Sequence, residues 1–204
     1  MPVKPMDIEK KSMEIIESEL TVELDPVEKP IVKRVIHATA DFSFAESLHF
    51  SAGVVPLMRR MLKSGATVVT DTNMALAGIS KPSLSRVGAR AICLMAEESV
   101  AAEAARRGIT RAQVSCERAL ALPGPKLMVC GNAPTFLYPL LERKEEEELA
   151  VIGVPVGFVN VVEAKQRLWE SDIPCITALG RRGGSNVAAA IVNALLYGIE
   201  GARA

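Results

Sequence analysis

Residues 149–156 read LAVIGVPV, eight residues without a charge. It carries no polar alternation, which is the pattern of a strand covered on both faces. Four more short runs share that character: ATVVT at 66–70, ARAICLM at 89–95, KLMVC at 126–130 and PCITAL at 174–179. Helical patterns separate them. EESVAAEAARRG ends at Gly108 and RAQVSCERAL follows; PTFLYPLLERKEEEELA has proline in its first turn; NVVEAKQRLWES and SNVAAAIVNALLYG complete the series. Three further helices are expected ahead of the first strand, over roughly 7–20, 26–40 and 52–63. Strands alternating with helices specify an α/β fold: an open, twisted, mostly parallel five-stranded sheet with helices on both faces. No repeat or linker divides the chain, so residues 1–204 are read as a single domain. The acidic run from Glu145 to Glu148 is read as a solvated helix face.

A chain of 204 residues suits one such domain with a substantial core. Its 24 basic residues balance 24 acidic ones, which argues against a general nucleic-acid surface or a polybasic membrane anchor. Aromatic residues at 4% leave little for base stacking. The charged, amphipathic start lacks the apolar core of a signal peptide, and no apolar run is long enough to span a bilayer. Cys93, Cys116, Cys130 and Cys175 lie far apart, with no C-x-x-C pair and no clustered histidines. They are read as buried reduced thiols, so no metal site is expected and the expected setting is the cytoplasm.

Open parallel sheets bind ligands beyond the carboxyl ends of their strands. The segments falling there are TDTNMALAGISKPSLSR, GNAPTF, GFVNVVEAK and GRRGGSNVAAA, which hold much of the chain's glycine and polar amide content. In the last, Gly180, Gly183 and Gly184 let backbone approach a ligand, and Ser185 is placed as the N-cap of the final helix. Helix-end N–H groups beside Arg181 and Arg182 suit an anion; the alternative is a tight turn with two solvated arginines. The segment is neither a Walker A loop nor a dinucleotide fingerprint. Asp71 and Asn73 either face a ligand from a strand end or form an Asx-capped helix start. Asn132 belongs to a close backbone approach or to a cap before Pro134. Arg111 and Ser12 read by themselves as solvated helix residues, and His49 has no pattern around it and receives no role.

His37 is different. Ile31, Val32, Val35 and Ile36 form one apolar stripe, and His37 falls on the other side with Lys33 and Arg34. That disfavours a core histidine and leaves a solvated one or a functional one.

Five segments, in order, resemble the precorrin-8X methylmutase family, also called precorrin isomerase or cobalt-precorrin-8 methylmutase: VIHATAD, DTNMALAGIS, GNAPT, PVGFVNVVEAK and GRRGGSNVAAAIVNAL. The resemblance spans nearly the whole chain. It implies a five-stranded parallel α/β sheet working as a homodimer, with the active site near the subunit interface. It implies transfer of a methyl group from C-11 to C-12 of a corrinoid in cobalamin biosynthesis, giving hydrogenobyrinate or cobyrinate. The catalytic histidine of the matching motif falls on His37, which would protonate the ring nitrogen beside the migrating methyl and ease a 1,5-sigmatropic shift. A helix C-terminus favours the imidazolium that such a role needs. Substrate contacts carry over to Ser12, Ser80, Arg111 and the loop containing Arg181, Arg182, Gly183, Gly184 and Ser185. Ser80 stands where the family often has threonine, so the hydroxyl is kept. The implied substrate's carboxylates suit these arginines, and Met74, Leu76 and Phe158 are candidates for its apolar faces or for ordinary wall residues. No cofactor is implied, since any cobalt belongs to the substrate, and neither nucleic acid nor membrane is an expected partner. The rivals are a nucleotide-dependent enzyme, for which no early phosphate loop exists, and a non-catalytic corrinoid carrier, whose axial D-x-H-x-x-G loop is absent.

Overall fold

The computed structural model describes residues 5–143 and 148–202. The chain opens with α1 (Pro5–Glu19), α2 (Lys29–Thr39), the single turn α3 (Phe44–Ser47), β1 (Leu48–Phe50) and α4 (Val54–Lys63). There follow β2 (Thr67–Thr70), α5 (Asn73–Gly78), α6 (Lys81–Arg86), β3 (Arg90–Ile92), α7 (Glu98–Arg107) and α8 (Arg111–Leu120). After β4 (Lys126–Cys130) come a 3-10 turn (Pro134–Phe136), α9 (Tyr138–Glu142), β5 (Leu149–Gly153), α10 (Val161–Trp169), β6 (Cys175–Ala178) and α11 (Ser185–Tyr197).

The strands form one sheet in the order β1-β6-β5-β4-β2-β3. All neighbours are parallel except β1, which pairs antiparallel with β6 through Leu48 and Ala178. The expectation of five strands therefore becomes six. The added strand is three residues long with a single fully buried position, so it offers no periodicity to read, and it covers the edge of β6. Taken in order of appearance, the parallel strands run 2-1-3-4-5, which puts the topological switch point between β2 and β4.

Both faces of the sheet are covered, as the unbroken apolar runs require. On one face Val68, Leu127, Val129, Ala150, Ile152 and Ile176 meet α2, α4 and α11. On the other, Val69, Met128, Val151 and Cys175 meet α8, α9 and α10. The α11 helix is apolar almost all round because α2 on one side and the sheet on the other leave it little water. The α2 stripe of Ile31, Val32, Val35 and Ile36 is fully buried. Cys116, Cys130 and Cys175 are buried free thiols, while Cys93 is only partly covered.

The long helix read from Pro134 onward is instead a 3-10 turn and a short helix. Pro139 has no N–H to give back to the preceding turn, so the helix restarts at Tyr138. Of the acidic run, residues 145–147 lie outside the described residues, and Glu148 is exposed just before β5, in no helix. Among the described residues no helix is long and apolar enough to cross a membrane.

Candidate functional site

The carboxyl ends of β2, β4, β5 and β6 carry the loops that the sequence singles out, and hydrogen bonds join those loops into one rim. At the switch point Asp71 is fully buried. Its carboxylate accepts from the N–H groups of Gly131 (2.9 Å), Asn132 (2.7 Å) and Ala133 (2.8 Å), and the Cys130 thiol lies at 3.7 Å. Burial pushes the Asp71 carboxyl up, against three amides that hold its anion. Every oxygen is used, so the expectation that Asp71 contacts a ligand is corrected: it clamps the loop after β4 to the end of β2. Asn73 and Asn132 remain exposed on that rim.

Thr72 caps α5 by accepting from the Ala75 N–H, and its hydroxyl lies 2.8 Å from that of Ser185. Ser185 is accordingly not the N-cap of α11. That position belongs to Gly184, with Ser185 as the first helical residue, its side chain buried against Thr72. Gly131 admits this approach, since a Cβ there would stand 2.8 Å from the Ser185 Cα.

The loops after β5 and β6 run side by side. Gly184 N–H donates to the Val154 carbonyl (2.9 Å) and Gly157 N–H to the Arg181 carbonyl (3.2 Å). A side chain at Gly183 would overlap the Val154 carbonyl oxygen, so this pairing requires glycine. Beneath both loops lies a residue to which the sequence reading gave no role. Lys165 of α10 is fully buried, and its ammonium donates to the Pro155 carbonyl (3.1 Å) and the Arg182 carbonyl (2.8 Å). Burial pushes it down to about 8. A signal existed: Val161, Ala164, Lys165 and Leu168 share the buried side of α10, so the lysine sits at an apolar position.

His37 is exposed in the last turn of α2, as its place off the stripe predicts. The helix ends in a left-handed Ala40 (φ 53°), after which Asp41 accepts from the Ser43 N–H at 3.0 Å. Arg182 reaches this turn, bonding the Ser43 hydroxyl and standing 3.4 Å from the Asp41 carboxylate. The Ser43 hydroxyl, its N–H and Arg182 hold the Asp41 carboxyl below its ordinary value. The C-terminus of α2, with His37 one turn back, is thereby held against the loop after β6.

Arg181 is exposed, its guanidinium 5.5 Å above the Phe158 ring. Phe158 is 83% exposed and Met74 73%, so neither is core, whereas Leu76 is partly buried. Arg111 is exposed at the first turn of α8, where Thr110 and Gln113 form a reciprocal cap readable as T-x-x-Q. Thr110 also bonds Thr135, joining that helix start to the loop after β4.

Two expected contacts are not brought to the rim by any hydrogen bond among the described residues. Ser12 donates to the Ile8 carbonyl within α1 (2.9 Å). Ser80 caps α6 through Ser83, while its N–H donates to Asn193 of α11 at 2.8 Å. His49 lies on edge strand β1, its ring 5.3 Å from that of Trp169. Among the described residues no group of three His, Cys, Asp or Glu is placed to hold a metal ion. The rim can therefore present cations and amide N–H groups to an anionic ligand with apolar faces, and the helix end that carries His37 is tied to it through Arg182.

Comparison with known proteins gives this rim a context. Residues 7–198 match the family model described as precorrin-8X methylmutase. The chain is 46% identical over 173 residues to the cobalt-precorrin-8 methylmutase of Salmonella typhimurium, covering 84% of this chain and 82% of that one. It is 40% identical over 196 residues to the cobalt-precorrin-8 methylmutase of Methanothermobacter thermautotrophicus, covering 93% and 91%. In three dimensions it is similar to the precorrin-8X methylmutase of Thermus thermophilus, with a TM-score of 0.87 at 36% identity over 94% of this chain and 95% of that one.

Proposed function

The chain belongs to the precorrin-8X methylmutase family, isomerases of cobalamin biosynthesis, and on that premise we propose that it moves a methyl group from C-11 to C-12 of precorrin-8 or cobalt-precorrin-8 with His37 as proton donor. The observation that carries the proposal is the placement of an exposed imidazole at a helix end tied by Arg182 to the loop after β6. Protonation of the ring nitrogen beside the migrating methyl draws electron density toward that nitrogen as the carbon–carbon bond at C-11 breaks and the one at C-12 forms. A positioned acid therefore lowers the barrier. The reaction is an isomerisation, so the donated proton returns before the site resets.

The exposed side chains of Arg111, Arg181, Asn73 and Asn132 are the proposed partners of the substrate's carboxylates and amide-accepting edges, with Arg182 both partner and tie to α2. Met74 and Phe158 supply apolar contact. Ser80 would exchange its bond to Ser83 for one to the ring, and Ser12 its bond to Ile8. Asp71 and Ser185 support the rim from within. No resident cofactor is proposed; cobalt, where present, arrives in the substrate, and the relatives named for cobalt-precorrin-8 favour that form. A cytoplasmic homodimer, with the rim near the subunit interface, completes the reading.

The test is incubation with precorrin-8 and with cobalt-precorrin-8, following the visible spectrum for the corrin product. Conversion of either supports the proposal. Stoichiometric binding of both without turnover would make the protein a corrinoid carrier.

A further inference from the structure

We propose that Lys165 is a positioning residue of this site, turning the Val156 and Gly183 N–H groups outward to receive the corrinoid's peripheral carboxylates. The inference rests on the reading that a corrinoid binds at these loops.

The geometry begins with the planar trans peptide, in which C=O and N–H point in opposite directions. The Pro155 and Arg182 carbonyls both turn inward to the Lys165 ammonium, at 3.1 and 2.8 Å. Their peptide partners, the N–H groups of Val156 and Gly183, must then point away from it. The neighbouring peptide groups are spoken for: Val154 C=O takes the Gly184 N–H, and Arg181 C=O takes the Gly157 N–H. Neither the Val156 nor the Gly183 N–H has an acceptor among the described residues.

Electrostatics gives the arrangement a direction. Lys165 is fully buried, and no carboxylate pairs with it among the described residues. An ammonium so placed is costly unless dipoles or an anion answer it. Two carbonyl dipoles answer it from the inside, and they leave the positive ends of the same peptide units facing out. An anion there completes the sequence of cation, polarised peptide and carboxylate. Arg181 and Arg182 precede the Gly183 N–H and attract a carboxylate, and the one carboxylate beside them, Asp41, is already paired with Arg182 at 3.4 Å. Only glycine at 183 lets the loops approach closely enough to share one lysine.

The test compares hydrogenobyrinate with its methyl ester, which keeps the ring but removes the carboxylate charge. Lys165→Met, similar in length but neutral, should weaken hydrogenobyrinate binding about tenfold or more, the worth of one or two charge-assisted hydrogen bonds. Its effect on the ester should be several-fold smaller, and the loss in turnover should fall on KM more than on kcat. Lys165→Gln, which keeps a donor for one carbonyl, should recover part of the difference. Independently of any variant, the Val156 and Gly183 amide protons of the wild-type protein should shift downfield on titration with hydrogenobyrinate. Should Lys165→Met fail to fold, those two amide signals decide. Unmoved signals, or a folded Lys165→Met protein that still prefers the acid as strongly as wild type, would overturn the inference. Failure of the wild-type protein to bind hydrogenobyrinate would instead remove the corrinoid reading of the site itself.

Discussion

His37 and Lys165 stand on opposite sides of their respective helices, and that difference determines what substitution should do. His37 lies off the buried stripe of α2, so His37→Ala should give a folded protein that still binds the corrin product. Its turnover should fall roughly 10²- to 10⁴-fold, the usual worth of a positioned general acid. His37→Asn keeps a donor but cannot transfer a proton; near wild-type turnover in that variant would rule out acid catalysis by His37. Lys165 shares the buried side of α10 with Val161, Ala164 and Leu168, and its ammonium is pushed down from 10.5 to about 8 by burial. Between those two values the unfolded chain holds a proton that the folded protein has released, so the lysine's contribution to stability rises with pH through that window. Below it the folded protein bears the full penalty, about 3 kcal/mol for a shift of this size. Relative to Lys165→Met, which has no such proton, wild type should gain stability by about that amount between roughly pH 7 and 10.5. Urea midpoints of the two proteins across this range measure it. Burial pushes the Cys130 thiol well above its ordinary value, so in both folded proteins it keeps its proton through this window and its own titration on unfolding cancels. A flat difference would mean that Lys165 is not a buried cation. The histidine was legible in the sequence because a helical period states which side a residue occupies. For the lysine the period states the side but not the outcome, because it cannot say whether a long cationic stem on the apolar side ends in water or beneath two carbonyls.

Loops built on one rim divide into side chains that hold loops together and side chains left for a ligand, and sequence alone does not separate the two. The segments themselves were legible, since glycines and polar amides concentrate after strands and core packing has no use for them there. Within TDTNMA, however, an acid that faces a ligand and an acid that clamps a loop have the same spelling. Three amides converge on Asp71, and Ser185 spends its hydroxyl on Thr72. Asp71→Asn replaces one acceptor by a donor facing N–H groups, so it should cost about 3 kcal/mol of stability, seen as a lower urea midpoint. The exposed arginines should behave in the opposite way. Arg181→Ala with Arg182→Ala should change stability by less than about 1 kcal/mol, because the pair with Asp41 is largely exposed. Affinity for the corrin product should meanwhile fall about tenfold or more, since a desolvated arginine–carboxylate contact is a strong hydrogen bond. A double variant that binds normally but unfolds much earlier would show these arginines to be structural.

Strand order and the edge strand lay beyond the sequence reading for a topological reason: apolar runs reveal that strands exist and are covered, but not which strand lies beside which. The order β3-β2-β4-β5-β6 sets the switch point between β2 and β4 and lines the four loop segments along one edge of the sheet. It also gathers apolar side chains that the fold leaves uncovered. Phe158 (83% exposed) and Val159 (75%) follow β5, and Met74 (73%) follows β2. Large apolar groups concentrated at a binding edge point to further burial, against a ring or against a second subunit. If the molecule works as the homodimer proposed, both needs can be met at one edge, since a partner subunit closing over the rim would exclude water from the reacting ring. Sedimentation should then give twice the 21.9 kDa chain mass, with the corrin product binding as a coloured complex near one per subunit. Phe158→Asp with Val159→Asp places charge on that edge without touching the core. The double variant should keep its melting behaviour in the monomer, shift toward the single-chain mass, and lose product affinity in step with the loss of dimer. A variant that stays dimeric while losing affinity would assign these side chains to the ring alone; one that stays dimeric and binds normally would remove this edge from both roles.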